Sequence, residues 1–164
     1  MDYGKIKADY VASKEHDKIL RDSEIHRKWV CKQEVNHVYS QFIVFFKDQH
    51  GFATTLETSK VLAKYGNVTI TLSEDKRKNK AEQIPIVHFN LRIPNLQVNK
   101  IIAVCEAYYP NQLTDNVLSD IEIDTNNLQY HKDFLTNKIA FRYKYIIEGD
   151  PREFLTLKEL LDAV

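Results

Sequence analysis

The sequence predicts an α+β fold in which a small antiparallel sheet is packed by helices. Residues 67–72 (NVTITL) and 84–93 (IPIVHFNLRI) are β-branched runs with alternating character, and they read as the two strands of one hairpin over 67–93. Residues 138–147 (KIAFRYKYII) form another such strand, with Ile139, Phe141, Tyr143 and Tyr145 on one face. Elsewhere the apolar residues recur at helical spacing, which supplies the helices that cover the sheet.

In chain order, residues 12–34 are mostly polar, with Ile19, Leu20, Ile25, Trp29 and Val30 as anchors, and this predicts a surface helix. Residues 35–46 fit two periods. Val35, Val38, Tyr39, Phe42 and Phe46 make a helical stripe, while the run from Phe42 to Phe46 is β-branched and aromatic and ends at a turn-like DQHG. The reading adopted is a strand over 39–46. Residues 58–64 are expected to form a short helix stopped by Gly66. Residues 73–83 (SEDKRKNKAEQ) are expected to be a charged loop or hairpin tip. Val98, Ile101, Ile102, Cys105 and Tyr108 have helical spacing and Pro110 follows, so residues 97–108 are expected to be a helix packed on the hairpin. The chain closes with a C-terminal helix in 152–164, where Thr156 and Glu159 form a capping box ahead of Leu157.

The chain has 164 residues, which suits a single domain over 1–164. Lys plus Arg and Asp plus Glu both number 23, so the formal net charge is zero. That excludes a histone-like polycation but leaves room for a local basic face. Cys31 and Cys105 are far apart and lack metal-ligand spacing, so they read as reduced thiols. The opening residues show no charged-then-apolar signal pattern, and no apolar run is long enough to cross a bilayer. The expectation is a cytoplasmic protein with no membrane partner.

Chemistry-bearing motifs are sparse. There is no Gly-rich phosphate loop, no zinc-type Cys pair and no serine elbow. Of the six histidines, His16 and His26 lie on the predicted surface helix and read as solvated, and His88 reads as a structural residue of a strand. Asp115, Asp120, Glu122 and Asp124 form an acidic cluster. In a strand, the last three would share a face able to hold a hard divalent cation. The reading preferred is a solvated face with Ile121 and Ile123 turned inward. Lys76, Arg77, Lys78 and Lys80 make the best phosphate-contacting patch in the chain.

One stretch resembles a known family. Residues 97–111 (QVNKIIAVCEAYYPN) look like a segment of phage HNH homing endonucleases that follows a β-hairpin and opens a helix, and residues 125–130 (TNNLQY) are similar to a later stretch of the same family. The resemblance covers about residues 66–164, with 66–147 as a degenerate HNH-like core. It implies a catalytic Asp-His pair at residues 120–121, but Ile121 stands where the general base should be. Asp120 matches the metal ligand, Asn127 the central Asn, and Asn137 falls near a further metal position. His131, four residues beyond Asn127, could act as base only in an altered geometry. Loss of a general base removes roughly two to four orders of magnitude in rate. The resemblance therefore implies a phage or mobile-element protein derived from an HNH nuclease, acting without a cofactor by binding DNA or inhibiting a host protein. Two alternatives stand beside it. One is an active Mg2+-dependent endonuclease using Asp120, Asn127 and His131, with Asp120 and Asn137 on the metal. The other is a protein-interaction module with no nucleic-acid role, in which Tyr108, Tyr109, Tyr143 and Tyr145 would be the surface to mutate.

Overall fold

The computed structural model describes residues 1–82, 84–94, 98–110, 117–118 and 128–164. The elements run α1 (Tyr3–Ile43), a π-helical segment (Val44–Gln49), β1 (Ala53–Leu56), β2 (Lys60–Tyr65), β3 (Val68–Glu74), α2 (Lys76–Ala81), β4 (Val87–Arg92), β5 (Asn99–Tyr108), α3 (Leu128–Leu135), β6 (Ala140–Ile147), β7 (Glu153–Phe154) and α4 (Leu157–Ala163). The fold class is α+β, as expected, but the sheet is not small. Among the described residues it has seven strands, and their order in the sheet is their order in the chain. Two compact units are present, Met1–Trp29 with Glu106–Phe141, and Val30–Cys105 with Arg142–Val164. Among the described residues no helix is long and apolar enough to cross a membrane.

The second unit holds the main core. Val35, Val38, Tyr39 and Phe42 of α1, with Phe45 and Phe46, pack with Val61, Leu72, Val87, Phe89, Leu91 and Ile101 of the sheet and with Leu157, Leu160 and Leu161 of α4. The strand expected over 39–46 is therefore helix. Every position of the helical stripe is buried in the core it shares with the sheet and α4, and that burial outweighs the β preference of the FIVFF run. The π-helical winding widens each turn, so that the neighbouring residues Phe45 and Phe46 both point inward. Tyr39 ties helix to sheet, its hydroxyl donating to the Ser59 carbonyl at 2.8 Å and accepting from the Glu74 amide at 3.1 Å. The Thr156 cap of α4 is present, its Oγ1 accepting from the Glu159 amide at 3.2 Å, while the Glu159 carboxylate accepts from the Leu155 amide at 3.0 Å and not from that of Thr156.

The hairpin over 67–93 is present as the antiparallel pair β3–β4, with Leu72 opposite Leu91. Two other expectations are overturned and a third holds in part. Residues 58–64 are not a helix: Val61 and Ala63 are buried with a period of two in β2, and Gly66 opens a two-residue turn with φ 57° between the paired residues Tyr65 and Val68. Of the segment expected to be a charged loop or hairpin tip, residues 75–82 do connect the strands of the hairpin, but through a helix and not a loop, because Asp75 accepts from the Lys78 amide at 3.2 Å and starts α2. The helix expected over 97–108 is, in its described part, strand β5. Ile101, Ala103 and Ala107 are buried in alternation along β5, and Val87 and Phe89 of β4 sit opposite Ala103 and Ile101. The run IIAV satisfies both periods, and pairing with β4 decides between them. The hairpin expected over 67–93 thus exists, whereas the helix expected to pack on it is a strand.

In the first unit, Tyr130 and Phe134 of α3 are buried with Ala107, Leu118 and Ile139. The surface helix expected over 12–34 is one stretch of the 41-residue α1. Its expected anchors Ile25 and Trp29 are exposed, and Ser23 and Arg27 are the residues buried on the facing side. Residues 1–15 are exposed on every face of the helix.

Candidate functional site

The basic segment of the second unit is the most completely described of the expected sites. Strand β3 ends at Glu74, and the Asp75 amide donates to the His88 carbonyl of β4 at 2.8 Å. Asp75 then caps α2, and Asn79 fastens the new helix to the hairpin. The Asn79 side chain accepts from the His88 amide at 2.6 Å and donates to Glu74 Oε1 at 3.2 Å and to the His88 carbonyl at 3.3 Å. His88 is held in turn, its Nε2 lying 2.6 Å from Glu82 Oε1, which agrees with a structural role for this histidine. Asn79 is buried, so the residues around it on the helix must point outward.

Four cations decorate that short helix. Lys78 lies 3.5 Å from Glu148 Oε2 and is partly neutralised. Lys76, Arg77 and Lys80 are exposed, and none forms an ion pair with a described residue. Lys80 follows Lys76 by four residues and Arg77 by three, so the three charges share one helical surface, where like charges repel. An anion bound there would relieve the repulsion. The residues missed by sequence reasoning are the anchors Asp75, Asn79 and Glu74. An Asp three residues ahead of Lys78 was the available signal for a helix cap.

The other expected residues lie apart from this segment in sequence. Asp115, Asp120, Ile121, Glu122, Asp124 and Asn127 lie outside the described residues, and with them the implied metal-binding strand. His131 is in α3, buried, with Nδ1 2.6 Å from Ser23 Oγ. That is the spacing of a nucleophile and its base. Both groups are under a tenth exposed, however, and Ser23 sits in the middle of α1, which suits a polar link between helices. Asp133, also buried, accepts from the Tyr109 hydroxyl at 2.7 Å and from Gln129 Nε2 at 2.9 Å. Asn137 is exposed with φ 57° and ends α3 in a Schellman motif: the Lys138 amide donates to the Asp133 carbonyl at 3.0 Å and the Asn137 amide to that of Phe134 at 3.3 Å. Among the described residues no three of His, Cys, Asp and Glu are grouped so as to hold a metal ion.

The tyrosines expected to offer a surface are not exposed. Tyr108 and Tyr109 are half-buried, and Tyr143 and Tyr145 belong to the inner side of β6. The Tyr145 hydroxyl donates to Glu34 Oε1 at 2.6 Å. Burial pushes the Glu34 carboxyl up from 4.5 to about 7, and the Tyr145 hydrogen bond offsets this only in part. Tyr143 donates to the Pro85 carbonyl at 2.9 Å, and burial raises its hydroxyl, as do the nearby Cys105, Glu34 and Cys31. These groups form a polar seam under α1 rather than a surface. Compared with protein-family models, with curated proteins and with solved structures, the chain matches none.

Proposed function

We propose that this protein acts by binding an anionic partner, DNA first among them, through the outward face of α2, and not by cleavage. One observation carries the reading: Lys76, Arg77 and Lys80 are exposed without counter-ions among the described residues, on a helix that Asn79 holds to the hairpin. A fixed helix loses less side-chain and backbone freedom on binding than a loop would, so its charges meet phosphates already arranged. The zero net charge fits a local contact rather than a wrapping polycation. Descent from a phage HNH nuclease remains the proposed origin, although the support comes from α2 and not from that likeness.

The test is DNA binding measured against salt. Changing Lys76, Arg77, Lys78 and Lys80 together to Ala should flatten the slope of log affinity against log salt by about three, close to one for each phosphate that is no longer neutralised. Unchanged binding by this variant would overturn α2 as the DNA-facing element. Failure of the parent protein to bind DNA near physiological salt would overturn DNA as the partner and leave an acidic surface of a host protein as the ligand to seek.

A further inference from the structure

The first unit carries a second surface of different chemistry. Asp22, Ile25, His26 and Trp29 of α1, with Leu135 and Asn137 at the end of α3, line a groove whose walls are largely apolar. Positions 22, 25, 26 and 29 follow one another at three- and four-residue spacing, so they share one helical face. Ile25 is 66 % exposed and Trp29 is 56 % exposed, and with Leu135 they make an apolar patch rather than scattered single residues. Trp29 is backed from within. Its ring stacks on His26 at 5.7 Å and 9°, and His26 meets the buried Phe134 edge-on at 4.6 Å. The indole is thus steadied by its neighbours while more than half of it faces solvent.

Among the described residues Asp22 is the single acid of this lining, and its carboxylate makes no hydrogen bond or ion pair with any of them. That combination selects among occupants. A phosphate would meet an unneutralised carboxylate. A purely apolar side chain would strip water from Asp22 and give nothing back. A guanidinium or ammonium group satisfies both features, because it pairs with the carboxylate and lies over the indole face. The aliphatic stem of an Arg or Lys would cover Ile25 and Leu135, which a free inorganic cation would leave exposed. We propose that the Asp22–Trp29 groove docks an Arg or Lys side chain presented by a partner protein. This surface belongs to the first unit, α2 belongs to the second, and the two are opposite in sign.

The chain has one tryptophan, and it lines the groove, so indole emission reads occupancy directly. The probes are a blocked leucyl-arginyl-leucine peptide and its citrulline counterpart, which keeps the shape and removes the charge. The arginine peptide should change the emission saturably and bind about tenfold or more tightly than the citrulline peptide. Asp22→Asn should weaken the arginine peptide by about the same factor, whereas Asp9→Asn, on the exposed part of the same helix, should leave it unchanged. Equal binding of the two peptides, equal loss in both variants, or no saturable response would each overturn the proposal. Asp22 is exposed, so neither substitution disturbs the core.

Discussion

The two ends of α1 have similar apolar residues and opposite surroundings. Tyr3, Ile6, Tyr10 and Val11 are all more than half exposed, whereas Val35, Val38, Tyr39 and Phe42 are all under a tenth exposed. The first end is helical through local bonding, begun by Asp2, whose Oδ1 accepts from the Gly4 and Lys5 amides at 3.0 and 3.1 Å. The last end is helical because a sheet covers its stripe. An exposed helical stretch is marginal by itself and extends from a packed one. The comparison separates residues that set stability from residues that are available for something else.

The sharpest way to break that comparison is Phe42→Ala. Phe42 is fully buried, and its removal should lower the unfolding free energy by about 3–5 kcal/mol in urea titrations. Tyr10→Ala should change it by no more than about 0.5 kcal/mol. A comparable loss for Tyr10 would mean that the first end is packed in solution.

Glu34 gives the next effect, and it depends on pH. Its carboxyl titrates near 4.5 when unfolded and at about 7 in the fold. Below the first value both states hold the proton, and the stabilising preference of the fold for it is fully present. As pH rises through this window the unfolded chain releases the proton first, so stability falls until the folded carboxyl also ionises. The loss amounts to about 3 kcal/mol. Glu34→Gln keeps an acceptor for Tyr145 and cannot ionise. Relative to the parent it should gain about that much stability between about pH 4 and pH 8. A constant difference across that range would show that Glu34 stays charged in the core.

The helix caps give the smallest effect and sharpen the comparison most finely. Thr156→Ala removes the cap of α4, whose Leu157 and Leu160 are fully buried, and should cost about 1 kcal/mol of global stability. Asp2→Ala removes an equivalent cap from the exposed end of α1. It should fray the first turns, seen as faster amide exchange there, and leave the urea midpoint in place.

The sequence was most legible where one period stood alone. The alternation of residues 68–72, the strand of residues 140–147 and the Thr156 cap required no knowledge of what lay opposite them. It was least legible where an apolar run fits two periods at once. Ile101 to Val104 and Phe42 to Phe46 take their structure from a partner strand or a covering sheet, which are distant in sequence. The cations of α2 were legible as a patch. The helix beneath them was not, since it depends on Asn79 reaching the backbone of His88. Asp22 and Trp29 were visible only as a charge and an anchor, because the groove forms when Leu135 and Asn137 arrive from α3.

The meander order of the sheet has a consequence for how the molecule assembles. Each strand pairs with its neighbour in sequence, and β2 and β3 are joined by only residues 66 and 67. Short closures forfeit little chain entropy before they gain pairing, so β1 to β5 can zip one after another from local encounters, whereas β6 joins only after the long connection that holds α3. The expensive closure comes from the far end of the chain, where the Leu157 amide finds Gln41 Oε1 at 3.1 Å across 116 positions. Assembly of this kind leaves the docking of α4 against α1 for last, so the core is sealed only when Leu157, Leu160 and Leu161 reach it.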